Sequence, residues 1–240
     1  MRGAVWRLEW RRALARPRLF AWNVAVPLLL LGPVLLNRAT VPHRAPIFAV
    51  LFVLFGTFGA CIPLVRDART GWTRKVLLTG YSVRAWLTER CAAATALDLV
   101  QLAPVTILFL LAGPTAHWVA ALAAVVLAVA AANVLGTAVA AAVRSLGEAT
   151  LASAASALLA AHLAGTFRGS APGTWSWVAQ RWSPWRPLPE ALRGAMGEIP
   201  SVSGVGGWGP PVLSGALLAV LMILSAPALA GRLSRVPEAD

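Results

Sequence analysis

The chain has 240 residues, of which 58% are hydrophobic and 12% charged, and its mean hydropathy is +0.71. A soluble domain carries roughly 25% charged residues, so a water-soluble enzyme and a disordered chain are both excluded. The 21 Lys and Arg residues exceed the 9 acidic ones by 12, and they lie between apolar runs, where they orient a chain in a bilayer rather than bind nucleic acid.

Residues 1–18 form a basic arm. Trp6, Trp10 and Leu14 recur every four residues, with Arg7, Arg11 and Arg18 on the flank. This pattern predicts an amphipathic helix lying in the inner membrane interface, its basic groups near anionic lipid. Pro17 ends it. A simple basic anchor is the alternative.

Six apolar runs then follow within 19–230, at about 19–36, 47–65, 91–112, 117–143, 149–167 and 212–230. Each is long enough to cross about 30 Å of hydrocarbon as a helix. The third carries Asp98 and Gln101, three residues apart and so on one face. A carboxylate in a span is costly and points to function, either on a substrate pathway that receives a cation or in hydrogen bonds between helices. Asn133 and His162 pose the same question, with packing the preferred reading and the pathway the alternative. The fifth run is rich in small residues such as Ala152, Ser153, Ala155 and Ser156, which suit close helix packing in lipid.

The connection 66–90 reads RDARTGWTRKVLLTGYSVRAWLTER. Trp72, Val76 and Leu77 can share a helical face with Arg74 and Lys75 beside it. Gly80 offers a break, and Ser82 can cap a second short helix. Such a helix can dock in a groove on a cytoplasmic partner; a solvated basic loop is the plainer alternative. Lys75 is the only lysine and follows Arg74, so no Gly-Lys phosphate-binding loop exists and any ATP must be bound by another chain.

The segment 168–211 holds Trp175, Trp177, Trp182, Trp185 and Trp208 among many Pro and Gly residues. It is too broken to span, and it predicts short or re-entrant helices at the outer boundary, one of them starting at Pro189. Residues 201–209 read as a flexible loop, and 231–240 as a cytoplasmic tail.

Fifteen basic residues fall on the side of the arm, the 66–90 connection, Arg144 and the tail; Arg38, Arg44, Arg168, Arg181, Arg186 and Arg193 fall on the other. Both termini are therefore expected in the cytoplasm. Of the eleven Trp residues, Trp22 and Trp118 sit near span ends and the rest lie outside the spans, at the headgroup level that indole prefers. Cys61 and Cys91 lie in or beside spans, so no exported disulfide framework is implied. No catalytic or metal-binding residues are assigned. Ser153 or Ser156 with His162 is the only enzyme-like pair, without a Gly-x-Ser-x-Gly element, and His43, His117 and His162 are scattered.

Taken together, these pieces resemble the permease subunits of type-2 ATP-binding-cassette (ABC) transporters, mostly exporters. The likeness rests on Leu8-Glu9-Trp10-Arg11-Arg12 with Arg16-Pro17-Arg18, on Asp67, Gly71, Leu77-Leu78 and Thr79 in the second connection, and on an external stretch. That stretch runs Gly165-Thr166-Phe167, Pro172…Trp175, Trp182-Ser183-Pro184 and Glu190-Ala191-Leu192-Arg193. Trp72 stands where Thr is usual, and Gly80 where Pro is common.

The resemblance implies an all-α integral membrane protein of six transmembrane helices. It adds an N-terminal interfacial helix (Trp6, Glu9, Trp10, Arg11, Arg12), a cytoplasmic coupling helix, and short external helices between spans five and six (Trp182, Pro184, Glu190, Arg193). Coupling falls to Asp67, Arg69, Gly71, Trp72, Arg74, Lys75, Val76, Leu77, Leu78 and Thr79, and the pathway to Asp98, Gln101 and Asn133. The implied partners are a cytoplasmic ATPase that binds ATP and Mg, a second permease subunit and membrane lipid. The chain itself holds no cofactor, and efflux of an amphipathic drug, antibiotic or lipid across a bacterial inner membrane follows. A non-transporting scaffold or sensor and an intramembrane enzyme are the alternatives.

Overall fold

The computed structural model describes residues 3–36, 44–111, 118–167, 170–195 and 209–233. Arg38, Arg168, Trp208, most of the 201–209 loop and residues 234–240 of the tail lie outside them. Among the described residues the chain is helical, with no strand. The helices are α1 (Ala4–Leu14), α2 (Pro17–Leu36), α3 (Arg44–Arg69), α4 (Trp72–Leu78) and α5 (Val83–Leu111), then α6 (Trp118–Ala142), α7 (Leu146–Leu163), α8 (Trp175–Trp182), α9 (Pro187–Ala195) and α10 (Gly209–Leu233). Six of them, α2, α3, α5, α6, α7 and α10, are long and apolar enough to cross a membrane.

Local chemistry sets the helix ends. Pro17 opens α2 at a position where its missing N–H and fixed φ do no harm. Ser145 caps α7 by accepting from the Glu148 N–H at 3.1 Å. Past the end of α7, Gly165 takes a left-handed φ of 74°. Its N–H bonds the His162 carbonyl while that of Thr166 bonds Ala161, and this double bond closes the terminus.

Three sequence expectations change. No second short helix follows Gly80: α5 runs unbroken from Val83 through Arg90 to Leu111, about 43 Å at 1.5 Å per residue. It therefore outreaches the hydrocarbon, while its first turns stay packed inside the protein, Trp86 and Leu87 being buried. The helix expected to start at Pro189 starts at Pro187. Trp86 and Trp185 leave the headgroup level for the protein interior, at 1% and 7% exposure.

The core is divided. One apolar cluster joins the first half of α3, the second half of α5 and the first half of α6 with α9, around Phe48, Phe52, Phe109, Leu188 and Leu192. The other joins the second half of α3, the start of α5 and the end of α10 with α1, around Leu64, Trp86, Leu87 and Met222. Between them lie buried Thr57, Asp98, Gln101, Asn133 and Thr137. That polar layer runs across the middle of the bundle.

Candidate functional site

The site begins where α1 meets the bundle. Val5, Glu9 and Arg12 lie on one face of α1, and this face docks on α5. Arg90 Nη1 donates to Glu9 Oε1 at 2.9 Å and to Asp67 Oδ2 at 2.8 Å. Arg12 Nη1 reaches the same Asp67 oxygen at 3.1 Å and lies 3.5 Å from Glu9 Oε1. The two cations and two anions balance, which is the condition for burying charge. The Arg12 guanidinium also stacks 4.4 Å from the centre of the Trp72 ring, a cation–π contact that draws α4 into the same assembly.

A second tie fixes the start of α1. The Glu89 carboxylate accepts from the N–H groups of Gly3 at 2.9 Å and Val5 at 3.3 Å, and from the Tyr81 hydroxyl at 2.7 Å. It thus satisfies donors that a helix N-terminus leaves open. Burial raises the Tyr81 phenol above its usual value, and the adjacent carboxylate raises it further.

The short helix α4 is set off by two left-handed glycines, Gly71 (φ 68°) and Gly80 (φ 80°). No side chain with a Cβ takes this conformation readily. The face Trp72, Val76, Leu77 does not look outward: Trp72 lies under Arg12, and Val76 and Leu77 pack on the cluster around Trp86. Thr73 is fully buried. Arg74, Lys75, Leu78 and Thr79 are exposed, Leu78 at 76%. The outward edge, formed by Arg74, Lys75 and Leu78, is therefore on the side of the helix facing away from Trp72, Val76 and Leu77.

From the ionic cluster a cleft of about 650 Å³ rises between α1, α2, α3 and α5 to the polar layer. Asp98, Gln101 and Thr137 line its far end, with Phe55, Phe58, Ile62 and Leu97 on its walls. Asn133 is no wall residue. It is fully buried behind Asp98, donating from Nδ2 to Asp98 Oδ2 at 2.9 Å and to the Val129 carbonyl at 3.0 Å. Space for the carboxylate comes from Gly59, where a Cβ would stand 2.5 Å from both Asp98 oxygens.

The remaining candidates scatter. Arg11 is exposed on α1 and Arg69 at the end of α3; Trp6 and Trp10 pair with ring centres 6.2 Å apart. Trp182 is half exposed, Pro184 is buried, and Glu190 pairs with Arg186 at 3.1 Å, while Arg193 is half-buried. Ser156 and His162 sit on the same helix, about 9 Å apart along the axis, and His162 is exposed rather than packed. That pair is not assembled.

The residues missed from sequence are Arg90, Glu89, Gly59 and Trp185. The buried Trp185 indole donates to the Ala128 carbonyl at 3.1 Å and anchors α9 on α6. Trp185→Phe keeps the ring and removes the donor, so thermal unfolding in detergent should register a loss of about 1 kcal/mol.

Residues 3–196 match the family described as ABC-2 type transporter. The chain belongs to that family. No curated protein matches the sequence. As an ABC-2 permease, it is a multi-pass transport subunit of the membrane, and the match covers α1 through α9, the whole of the cleft included.

Proposed function

We propose that this ABC-2 permease is the translocation subunit of an ATP-driven exporter in a bacterial inner membrane, with both termini in the cytoplasm. A separate ATPase binds ATP and Mg, and a second permease subunit completes the membrane unit. In this reading α1 is the interfacial helix and α4 the coupling helix.

The observation that carries it is the mounting of α4. It is a seven-residue helix bracketed by left-handed glycines, gripped from behind by Arg12 and the Trp86 cluster, with a basic and apolar edge left bare. A push on that edge passes through Trp72 and Arg12 to Asp67 and Arg90, and so to α3 and α5, which carry the polar layer. ATP drives the cycle only if the ATPase holds α4 differently in two membrane conformations. The cargo is an amphipathic molecule, because the cleft pairs apolar walls with the Asp98–Gln101 end.

A photo-crosslinking residue at position 78 should capture a protein bearing a Gly-x-x-x-x-Gly-Lys-Ser/Thr loop. Leu78→Asp should abolish ATPase co-purification and efflux while changing thermal stability by less than about 0.5 kcal/mol, as expected for a bare surface position. Efflux retained without any crosslink would sink the proposal.

A further inference from the structure

The two ends of the cleft differ in charge. Arg12 and Arg90 are balanced by Glu9 and Asp67. Arg16 and Arg66 also line the cleft, both are exposed, and neither meets a carboxylate within salt-bridge distance among the described residues. The rim therefore keeps two uncompensated positive charges.

Beyond the rim the wall is Leu19, Phe20, Phe55 and Phe58. α2 leans mainly on α5 and touches α3 little, so this wall opens sideways toward hydrocarbon. A positive rim at the end of an apolar trough complements a molecule with a small anionic head and an acyl chain. The opposite end, at Asp98, Gln101 and Thr137, offers an anion no cationic side chain, so the head stays at the rim. Basic pockets between spans on the cytoplasmic side hold anionic headgroups in just this way.

We propose that the cleft binds an anionic phospholipid of the inner leaflet, its phosphate between Arg16 and Arg66 and one acyl chain along Phe20, Phe55 and Phe58. The leaflet rests on the cytoplasmic placement of α1 given above; the headgroup chemistry does not. Seated there, the lipid touches the α1–α2 link, α2 and α3 together, wedging the arm against the first two spans.

The test uses the full chain in mild detergent, titrated with phosphatidylglycerol or with phosphatidylcholine of the same chains, and counts lipid adducts by native mass spectrometry. Phosphatidylglycerol should bind the tighter. Arg16→Gln/Arg66→Gln should weaken it about tenfold or more, given about 1 kcal/mol for each surface arginine. Arg7→Gln/Arg84→Gln, which removes two exposed arginines outside the cleft, should weaken it less than about threefold.

Equal binding of the two lipids would overturn the proposal, as would equal weakening in both double variants, which marks general surface attraction. Displacement by inorganic phosphate at no more than the lipid's own concentration would overturn it too, since the acyl chain would then contribute nothing. These adducts form without ATPase or transport, so failure here leaves the exporter reading standing. Cysteine labelling of position 7 from outside intact cells would remove the leaflet assignment while leaving the site.

Discussion

Arg90→Met is expected to lower the stability of the bundle by about 3 kcal/mol, seen as a fall in the thermal midpoint in detergent, and, on the proposed function, to uncouple ATPase activity from efflux. Arg90 is almost fully buried and its Nη1 serves Glu9 and Asp67 at once. Removing it strands two carboxylates where water is scarce, and the penalty is that of uncompensated buried charge rather than of a lost contact. Arg12 still reaches both carboxylates, but at 3.1 and 3.5 Å and from a third-exposed position, so it recovers only part.

This account makes a sharper demand. The triple change Glu9→Gln, Asp67→Asn, Arg90→Met leaves no buried charge to strand, because Arg12 keeps the Trp72 ring and access to solvent. It should regain much of the stability lost in the single variant. It should not regain coupling, since the polar link between α1, α3 and α5 would be gone. A triple variant no more stable than Arg90→Met would show that the arginine matters through its packing alone.

The six spans were legible because the hydrocarbon imposes one requirement on every one of them, an apolar run of sufficient length. The ionic cluster was not. Glu9, Asp67 and Arg90 are separated by 58 and 23 positions, and no periodicity joins residues on three different helices. Asp98 did stand out, as a carboxylate within a span. Its partner Asn133 was noticed too, but nothing in the sequence distinguished a wall residue from one lying behind the wall.

In α4 the difficulty was rotational. Trp72, Val76, Leu77 and Leu78 occupy most of the circumference of a helix this short, so the pattern offers two apolar edges and does not choose between them. Docking on the Trp86 cluster chooses. The inward stripe of α9, Leu188 and Leu192, has ordinary i, i+4 spacing, yet it was lost among neighbouring Trp, Pro and Gly residues that signal irregular chain. Trp86 and Trp185 misled for a related reason. Position between spans places an indole near the headgroups, whereas the packing of the start of α5 in the second core cluster and the docking of α9 bring these two inside.

The second large effect is expected at the seam between α3 and α6. Gly136→Val should cost at least about 3 kcal/mol and greatly reduce the yield of folded protein on size-exclusion chromatography. A Cβ at Gly136 would overlap the Thr57 carbonyl oxygen and stand 3.1 Å from the Ala60 Cβ. On the facing side a Cβ at Gly56 would lie 2.9 Å from the Ala132 Cβ and 3.0 Å from the Val129 oxygen. Backbone, unlike a side chain, has no rotamer by which to yield, so the helices must separate. Lipid supplies no hydrophobic drive to hold them together across a gap, and the packing energy of the seam is forfeited.

Gly32→Ala in α2 provides the contrast, because a Cβ there meets nothing within 4 Å. With no neighbour to displace, helix propensity alone decides, and the change should be neutral or stabilising by up to about 1 kcal/mol. The divergence between two glycines in spanning helices would locate the requirement in close approach rather than in flexibility. Because Asp98 of α5 rests on Gly59 of α3 and accepts from Asn133 of α6, bridging the two helices of this seam, opening it also dismantles the polar layer at the end of the cleft. On the proposed function, a milder Gly136→Ala variant that still folds should therefore lose efflux while still co-purifying the proposed ATPase.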